Sequence, residues 1–455
     1  MDDPTPGTSA VHCESFDPVA YLRGLTHLIE QQRVDSILAR TGRRQRRRRR
    51  LLAHQVVWLV IAMSLFAGDS IPMAWRRLHP STDTPEPDDS AFTKARQRLG
   101  VAPMRELFHE VAGPMAAPGA PGAFYRCWRL MGIDGTTFDM PDTPENERVF
   151  GRGGNQRSPN AFPQVRVLAL CELGTHAVCD FALRPVRGSE QEMLPHLLRS
   201  LRPDMLLLWD RGFFGFALIE AVLGCGSRLL ARVKAGQLIF QRLKDLPDGS
   251  YLSKIYPSPY DRRKDRNGRI VRIIEYSHDD PSRAGYGVKN RLLTDLLDPA
   301  DLPAREAVVL YHERWEEELA FDEIKTHLNG RDLLLRSKTP RGVVQELYGL
   351  FLAHRVIRQV MADAAGRQKL DPDRLSFTNA FRVLQCHLHE APAQCVGEWY
   401  ERLLREVGRQ QLRPRRNRWY PRVVKRKMKK WDKKRPKHRH PPQPSKPYAD
   451  SVVIT

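Results

Sequence analysis

Cysteine is sparse in this 455-residue chain and follows no pairing pattern. Cys13, Cys127, Cys171, Cys179, Cys225, Cys386 and Cys395 are odd in number and contain no CxxC pair. That argues against a disulfide framework or a zinc ribbon and fits a reducing cytoplasm. Cys386, His387, His389 and Cys395 lie near one another, but their spacing matches no zinc pattern. Long apolar runs are missing too. The longest, "VVWLVIAMSLF" at 56–66, is too short to span a bilayer and predicts a buried helix. The first thirty residues are acidic and contain proline, unlike a secretory signal. The chain has no GxSxG elbow, no GxxxxGK[ST] phosphate loop and no HExxH helix, which removes three common enzyme chemistries. Acids are in deficit: 53 Asp and Glu stand against 74 Lys and Arg, for a formal charge of +21.

The positive charge is concentrated in two places. "RRQRRRRR" at 43–50 holds seven arginines, and residues 411–440 hold fifteen Lys or Arg against Asp432 alone. Together they equal the whole formal excess, so the rest of the chain is neutral. Polycations on a neutral body point to nucleic acid, where each neutralised phosphate releases counterions. Arg43, Arg44, Arg46 and Arg47 are expected DNA contacts. Trp419, Tyr420 and Trp431 interleave the second segment and add stacking capacity.

The pattern divides the chain. Residues 20–110 read as helical, with "SAFTKARQRLG" at 90–100 opening on a Ser cap and ending in Gly. "GPMAAPGAPGAF" at 113–124 reads as a linker. Strands are expected at 127–134, 164–173, 177–186, 204–210 and 227–236, with helices at 189–201 and 214–226, giving the order βββαβαβ. Residues 237–305 are polar and Tyr-rich, with two strand-like stretches. The expected division is a helical N-terminal region (1–120), an α/β core in two parts (121–236 and 306–365), a β-rich stretch between them (237–305) and a helical C-terminal region with a basic tail (366–455).

Two aspartates, Asp134 and Asp210, stand where apolar strands run out. Either alone could initiate a turn, but a pair at the ends of neighbouring strands suits a hard divalent cation. A third carboxylate on a packed helix would complete a two-metal site for phosphoryl transfer. "YHERWEEELAFDEIKTHL" at 311–328 offers six acids in eighteen positions. At helical spacing Tyr311, Arg314, Glu318 and Lys325 fall within about 60° of one another. Asp322 lies near the same face, whereas Glu316, Glu317 and Glu323 point away and are expected to be solvated.

The spacing Y-(2)-R-(3)-E-(6)-K resembles the signature of the DDE transposases of the insertion-sequence-four (IS-four) family. So do "IDGTTFDMPDT" around Asp134, "WDRGFFG" around Asp210, "LLARVKAG", "RLLTDLLD" and the N-terminal "AFTKARQRLG". The resemblance spans about residues 20–365. It implies an α/β, ribonuclease H-like core interrupted by a β-rich insertion, with helical regions at both ends. It also implies a catalytic triad of Asp134, Asp210 and Glu318 holding two Mg²⁺ ions (Mn²⁺ being an alternative), with the spacing selecting Glu318 over Asp322. Tyr311, Arg314 and Lys325 would contact transposon-end DNA. The expected partners are inverted-repeat DNA and target DNA, with a homodimer in the synaptic complex. No membrane or organic cofactor is expected, and the setting is a bacterial cytoplasm, on the nucleoid when bound to DNA. Some family members stack a flipped base on a tryptophan of the insertion. Residues 237–305 have none, leaving Tyr251, Tyr256, Tyr260, Tyr276 and Tyr286 as candidate π-faces. A nuclease without strand transfer and a non-catalytic DNA-binding inhibitor of transposition are the alternatives.

Overall fold

The computed structural model describes residues 23–44, 51–78, 87–155, 158–233, 240–282, 286–330, 334–388, 396–413 and 444–455. Arg46, Arg47 and the basic stretch 414–443 lie outside these residues.

The N-terminal helices are α1 (Gln31–Arg40), α2 (Ala53–Leu65), α3 (Ile71–Leu78), α4 (Asp89–Leu99) and α5 (Ala102–Val111). Every residue of α2 from Gln55 to Leu65 is buried, so the long apolar run is the heart of a helical core. No described helix is long and apolar enough to cross a membrane. The cap of α4 is Asp88 rather than Ser90: Asp88 accepts from the Ala91 N–H at 2.7 Å, and the Ser90 hydroxyl also donates to it. Gly100 ends α4 with φ 70°, a conformation that glycine adopts without strain.

The core strands are β1 (Trp128–Asp139), β2 (Ser158–Glu172), β3 (Ala177–Pro185), β4 (Met205–Trp209) and β5 (Arg228–Val233). β1–β2 and β2–β3 pair antiparallel, whereas β4 lies parallel to β1 and β5 parallel to β4. Three antiparallel strands followed by two parallel ones form the ribonuclease H-like core of a mixed α/β fold. Helix α6 (Phe216–Gly224) makes the β4–β5 crossover. The expected helix at 189–201 is absent. Two 3₁₀ turns, Leu194–His196 and Leu198–Ser200, stand there instead, because Pro195 lacks the N–H that an α-helix needs at its centre.

The sheet continues into the inserted residues through β6 (Tyr251–Ile255), β7 (Arg269–His278) and β8 (Asn290–Thr294), with β8 pairing onto β5. The chain then returns in α7 (Ala304–His312), α8 (Trp315–Asp322) and a π-helical turn, Glu323–Leu328. Next come the long α9 (Pro340–Gln368), then α10 (Phe377–His387) and α11 (Val396–Gly408). Helix α9 packs on α2, and Gly349 makes that approach possible: a Cβ there would stand 2.6 Å from the Val60 carbonyl oxygen. The β-branched end of the chain, missed by the sequence reading, is β9 (Val452–Ile454), which pairs antiparallel with β7. The basic segment therefore connects two docked pieces of chain.

Candidate active site

β4 pairs with β1 as far as Trp209 opposite Ile133, so Asp134 and Asp210 are the next residues on adjacent parallel strands, about 5 Å apart in backbone. The expectation that both stand at strand ends needs correcting. Asp210 does end β4, but β1 runs on to Asp139, because β2 still pairs with it through Asp139 opposite Gln164. Asp134 is half-buried, beside the point where its neighbour stops.

Alternate residues of a strand share a face, and Gly132, Asp134, Thr136 and Phe138 turn theirs to the helical segment 311–328. That segment is not one straight helix: it breaks at Glu313–Arg314 and passes into the π turn at Glu323. Arg314 places Nη1 3.7 Å from Asp134 Oδ2 and Nη2 3.5 Å from Glu318 Oε1. Asp210 also acts on it electrostatically. Burial works to lower the Arg314 guanidinium, but Tyr311, Asp210, Asp134 and Glu318 together hold it above its ordinary value. Two carboxylates thus stand within 4 Å of one guanidinium, and a third, Asp210, is near enough to act on its charge. Among the described residues no three His, Cys, Asp or Glu side chains close around one point as metal ligands.

The Tyr311 hydroxyl is buried and donates to the Trp209 carbonyl at 3.1 Å, gripping the backbone beside Asp210. Lys325 Nζ donates to Thr136 Oγ1 at 3.2 Å and lies 5.6 Å from the centre of the Phe138 ring. Burial pushes its ammonium below the ordinary value, against the pull of Asp139. Asp322 is outside the group, with the Thr326 hydroxyl donating to it at 2.6 Å and His327 Nε2 standing 3.4 Å away.

The Asp134 carboxyl is pushed up to about 6, first by burial and then by Glu190 and Glu318, against the Gly135 N–H and Arg314. Glu190 was not anticipated, and neither was the position of Glu317. A Cβ on Gly132 would stand 2.6 Å from Glu317 Oε2, and one on Gly135 2.3 Å from Glu190 Oε1. The glycines flanking Asp134 therefore admit two further acids, and "MGIDGT" is the signal that hinted at such approach. Glu317 is fully buried, and neither of its oxygens has a well-formed hydrogen bond. Burial and the charge of Asp134 push its carboxyl well above the usual range.

The solvated acids expected at Glu316, Glu317 and Glu323 are all buried, at 9%, 0% and 5% exposure. The helix is covered on two sides, by β1 and by α9, so the face read as outward has no solvent to meet. In the insertion, Tyr251 and Tyr276 are buried and Tyr256 bonds Asp265, whereas Tyr260 and Tyr286 are 52% and 54% exposed. Arg43 and Arg44 are exposed, and Arg43 Nη1 donates to the Arg98 carbonyl at the end of α4.

The insertion element 4 transposase N-terminal model matches residues 20–109, and the transposase DDE domain model matches residues 129–355. The transposase InsG for insertion sequence element IS4, from Escherichia coli (strain K12), is 30% identical over 417 residues, covering 89% of this chain and 92% of InsG. The chain belongs to the IS4 family of DDE transposases. InsZ of the same strain is 32% identical over 173 residues, 37% of this chain and 56% of InsZ. A piggyBac transposase synaptic complex with hairpin DNA aligns with 87% of this chain and 86% of its own at 13% identity and a TM-score of 0.42. That is too loose a likeness to add to the assignment. DNA binding and recombination are thus the chain's field of action.

Proposed function

We propose that the chain cuts DNA at transposon ends and joins the freed 3′-hydroxyl to target DNA, as a homodimer holding two inverted-repeat ends. The observation that carries this reading is the gathering of Asp134, Asp210 and Glu318 about Arg314 where β4 stops. Three carboxylates against one guanidinium leave an acidic excess that a polyanionic substrate could not approach unaided. An all-oxygen donor set of this kind fits a hard divalent cation. Asp134, Asp210 and Glu318 would hold Mg²⁺, or Mn²⁺, as two ions, supplying charge stabilisation to the attacking and leaving oxygens of an in-line displacement.

The chain's own groups do the positioning. Tyr311 fixes the end of β4 and so the backbone of Asp210. Arg314 holds Asp134 and Glu318 toward each other and offers a cation to a phosphate between them. Lys325 presents a second cation farther along β1. Arg43, Arg44, Arg46, Arg47 and the segment 411–440 supply phosphate contacts that position DNA without reading its sequence.

The test is Glu318→Gln, which keeps the side-chain shape and removes the charge. With an end-sequence duplex and Mg²⁺, cleavage should vanish while the gel shift persists. Equal loss of both would point to folding instead. Strand-transfer products from the wild-type protein separate transposition from simple nuclease action, and cleavage by Glu318→Gln at the native rate would sink the assignment.

A further inference from the structure

Opposite the Glu318 side of the segment lies a second set of charges with no part in the chemistry above. Glu316 and Glu323 stand seven residues apart, two helical turns, and so share a face. His176 meets both: its Nε2 is 2.9 Å from Glu316 Oε2 and its Nδ1 is 3.0 Å from Glu323 Oε1. His176 sits at the β2–β3 turn with φ 55° and is 1% exposed. From α9, His354 Nε2 lies 3.1 Å from Glu323 Oε2, and Arg358 Nε donates to that same oxygen at 2.8 Å. Arg358 Nη2 also reaches Glu323 Oε1 and the His176 ring. His354 is fully buried, and Arg358 is 2% exposed.

We propose that this buried cluster is a positioning device for the acidic site: Glu323, gripped by His176, His354 and Arg358, sets the rotation of the helix that presents Glu318 and Lys325 to β1. Three features support this. Glu323 is the first residue of the π turn, where the helical register changes between Glu318 and Lys325, and such turns recur at functional sites. Its partners come from two separate elements, the β2–β3 turn and α9, so a single rotation satisfies both. Buried ion clusters are also inefficient stabilisers, because apolar side chains of similar volume often serve as well or better. What the ions add is orientation. Because α9 packs on α2 through Gly349, the same grip ties the catalytic helix to the N-terminal helical region.

The inference rests on the proposed role of Glu318, and two variants test it. Glu323→Asp keeps the charge and shortens the reach. Glu323→Leu with Arg358→Met replaces the ion pair by apolar volume; His176 keeps its contact with Glu316, and His354 gives up its bond to Glu323. A displacement of about 1 Å at a reacting group costs on the order of 100-fold in rate. The expected result for either variant is a kcat lower by about that factor, with the KM for end DNA and the gel shift unchanged. Native-rate cleavage by both would overturn the proposal. So would joint loss of cleavage and end binding with a lowered unfolding midpoint, which would make the cluster purely structural. If the apolar pair does not fold, Glu323→Asp decides alone. Wild-type protein and Glu318→Gln run alongside: a wild type that does not cleave refutes the proposed function, whereas native-rate variants refute only this inference.

Discussion

One short helical segment carries two groups of carboxylates treated in opposite ways. On one side Glu318 joins Asp134 and Asp210, with Arg314 the cation among them, and the Glu318 side chain stays 37% exposed. On the other side Glu316 and Glu323 are buried against Arg358, His176 and His354. The buried group pairs each carboxylate with a cation or a histidine, as burial requires, although His354 Nδ1 has no hydrogen bond of its own. The half-exposed group carries more acid than its cation balances. A fold that wanted stability alone would avoid the second arrangement. The difference teaches that burial and pairing go together: one set of acids is buried against cations and histidines, whereas Glu318 on the other side stays partly open.

The largest expected effect breaks the buried side. Arg358→Met leaves the buried Glu323 carboxylate with two histidines and no guanidinium, and removing one partner of a buried pair costs about 3–5 kcal/mol. Urea unfolding measures it; a loss below about 1 kcal/mol would mean that the two histidines alone suffice.

A smaller effect belongs to the open side and depends on pH. The folded Asp134 carboxyl lies at about 6 against an ordinary 3.8, so the native state binds its proton more tightly than the unfolded chain. Its contribution to stability is present at low pH and is lost as pH rises through that window. Asp134→Asn should therefore flatten the decline in stability between pH 4 and pH 6, as about the two pKa limits suggest. Equal slopes for variant and parent in metal-free denaturant titrations would show that Asp134 is not strained by its neighbours.

The smallest effect sharpens the boundary between the two groups. Asp322 is 54% exposed and, among the described residues, pairs locally with Thr326 and His327. Asp322→Asn should change stability by no more than about 0.5 kcal/mol and leave end cleavage at the native rate. A cleavage defect comparable to that of Glu318→Gln would move the catalytic acid four residues along the helix.

Much of this molecule was legible in its residues. The apolar run at 56–66 is a buried helix, the core strands lie close to where alternation placed them, and the motif spacing led to the right family. The misreadings have particular causes. Pro195 breaks a stretch whose periodicity otherwise suits a helix, and Asp88, not the Ser90 that follows it, supplies the cap. Glu316, Glu317 and Glu323 point away from the Glu318 face, and acids so placed on a helix are usually solvated; here other elements cover them. Glu190 lies far from the signature and enters only through the space left by Gly135.

What the sequence determined by itself is the set of residues that share a helical face, because a spacing of three, four or seven is a rotation about one axis. It also determined the strand that carries each aspartate, since apolar runs and their ends are local features. Which face meets water was decided by the tertiary structure. Glu316 finds His176 across 140 positions and Glu323 finds Arg358 across 35, and no local pattern encodes either pairing. A carboxylate is solvated, paired or left open according to what packs over it, and that depends on elements brought together only when the chain folds.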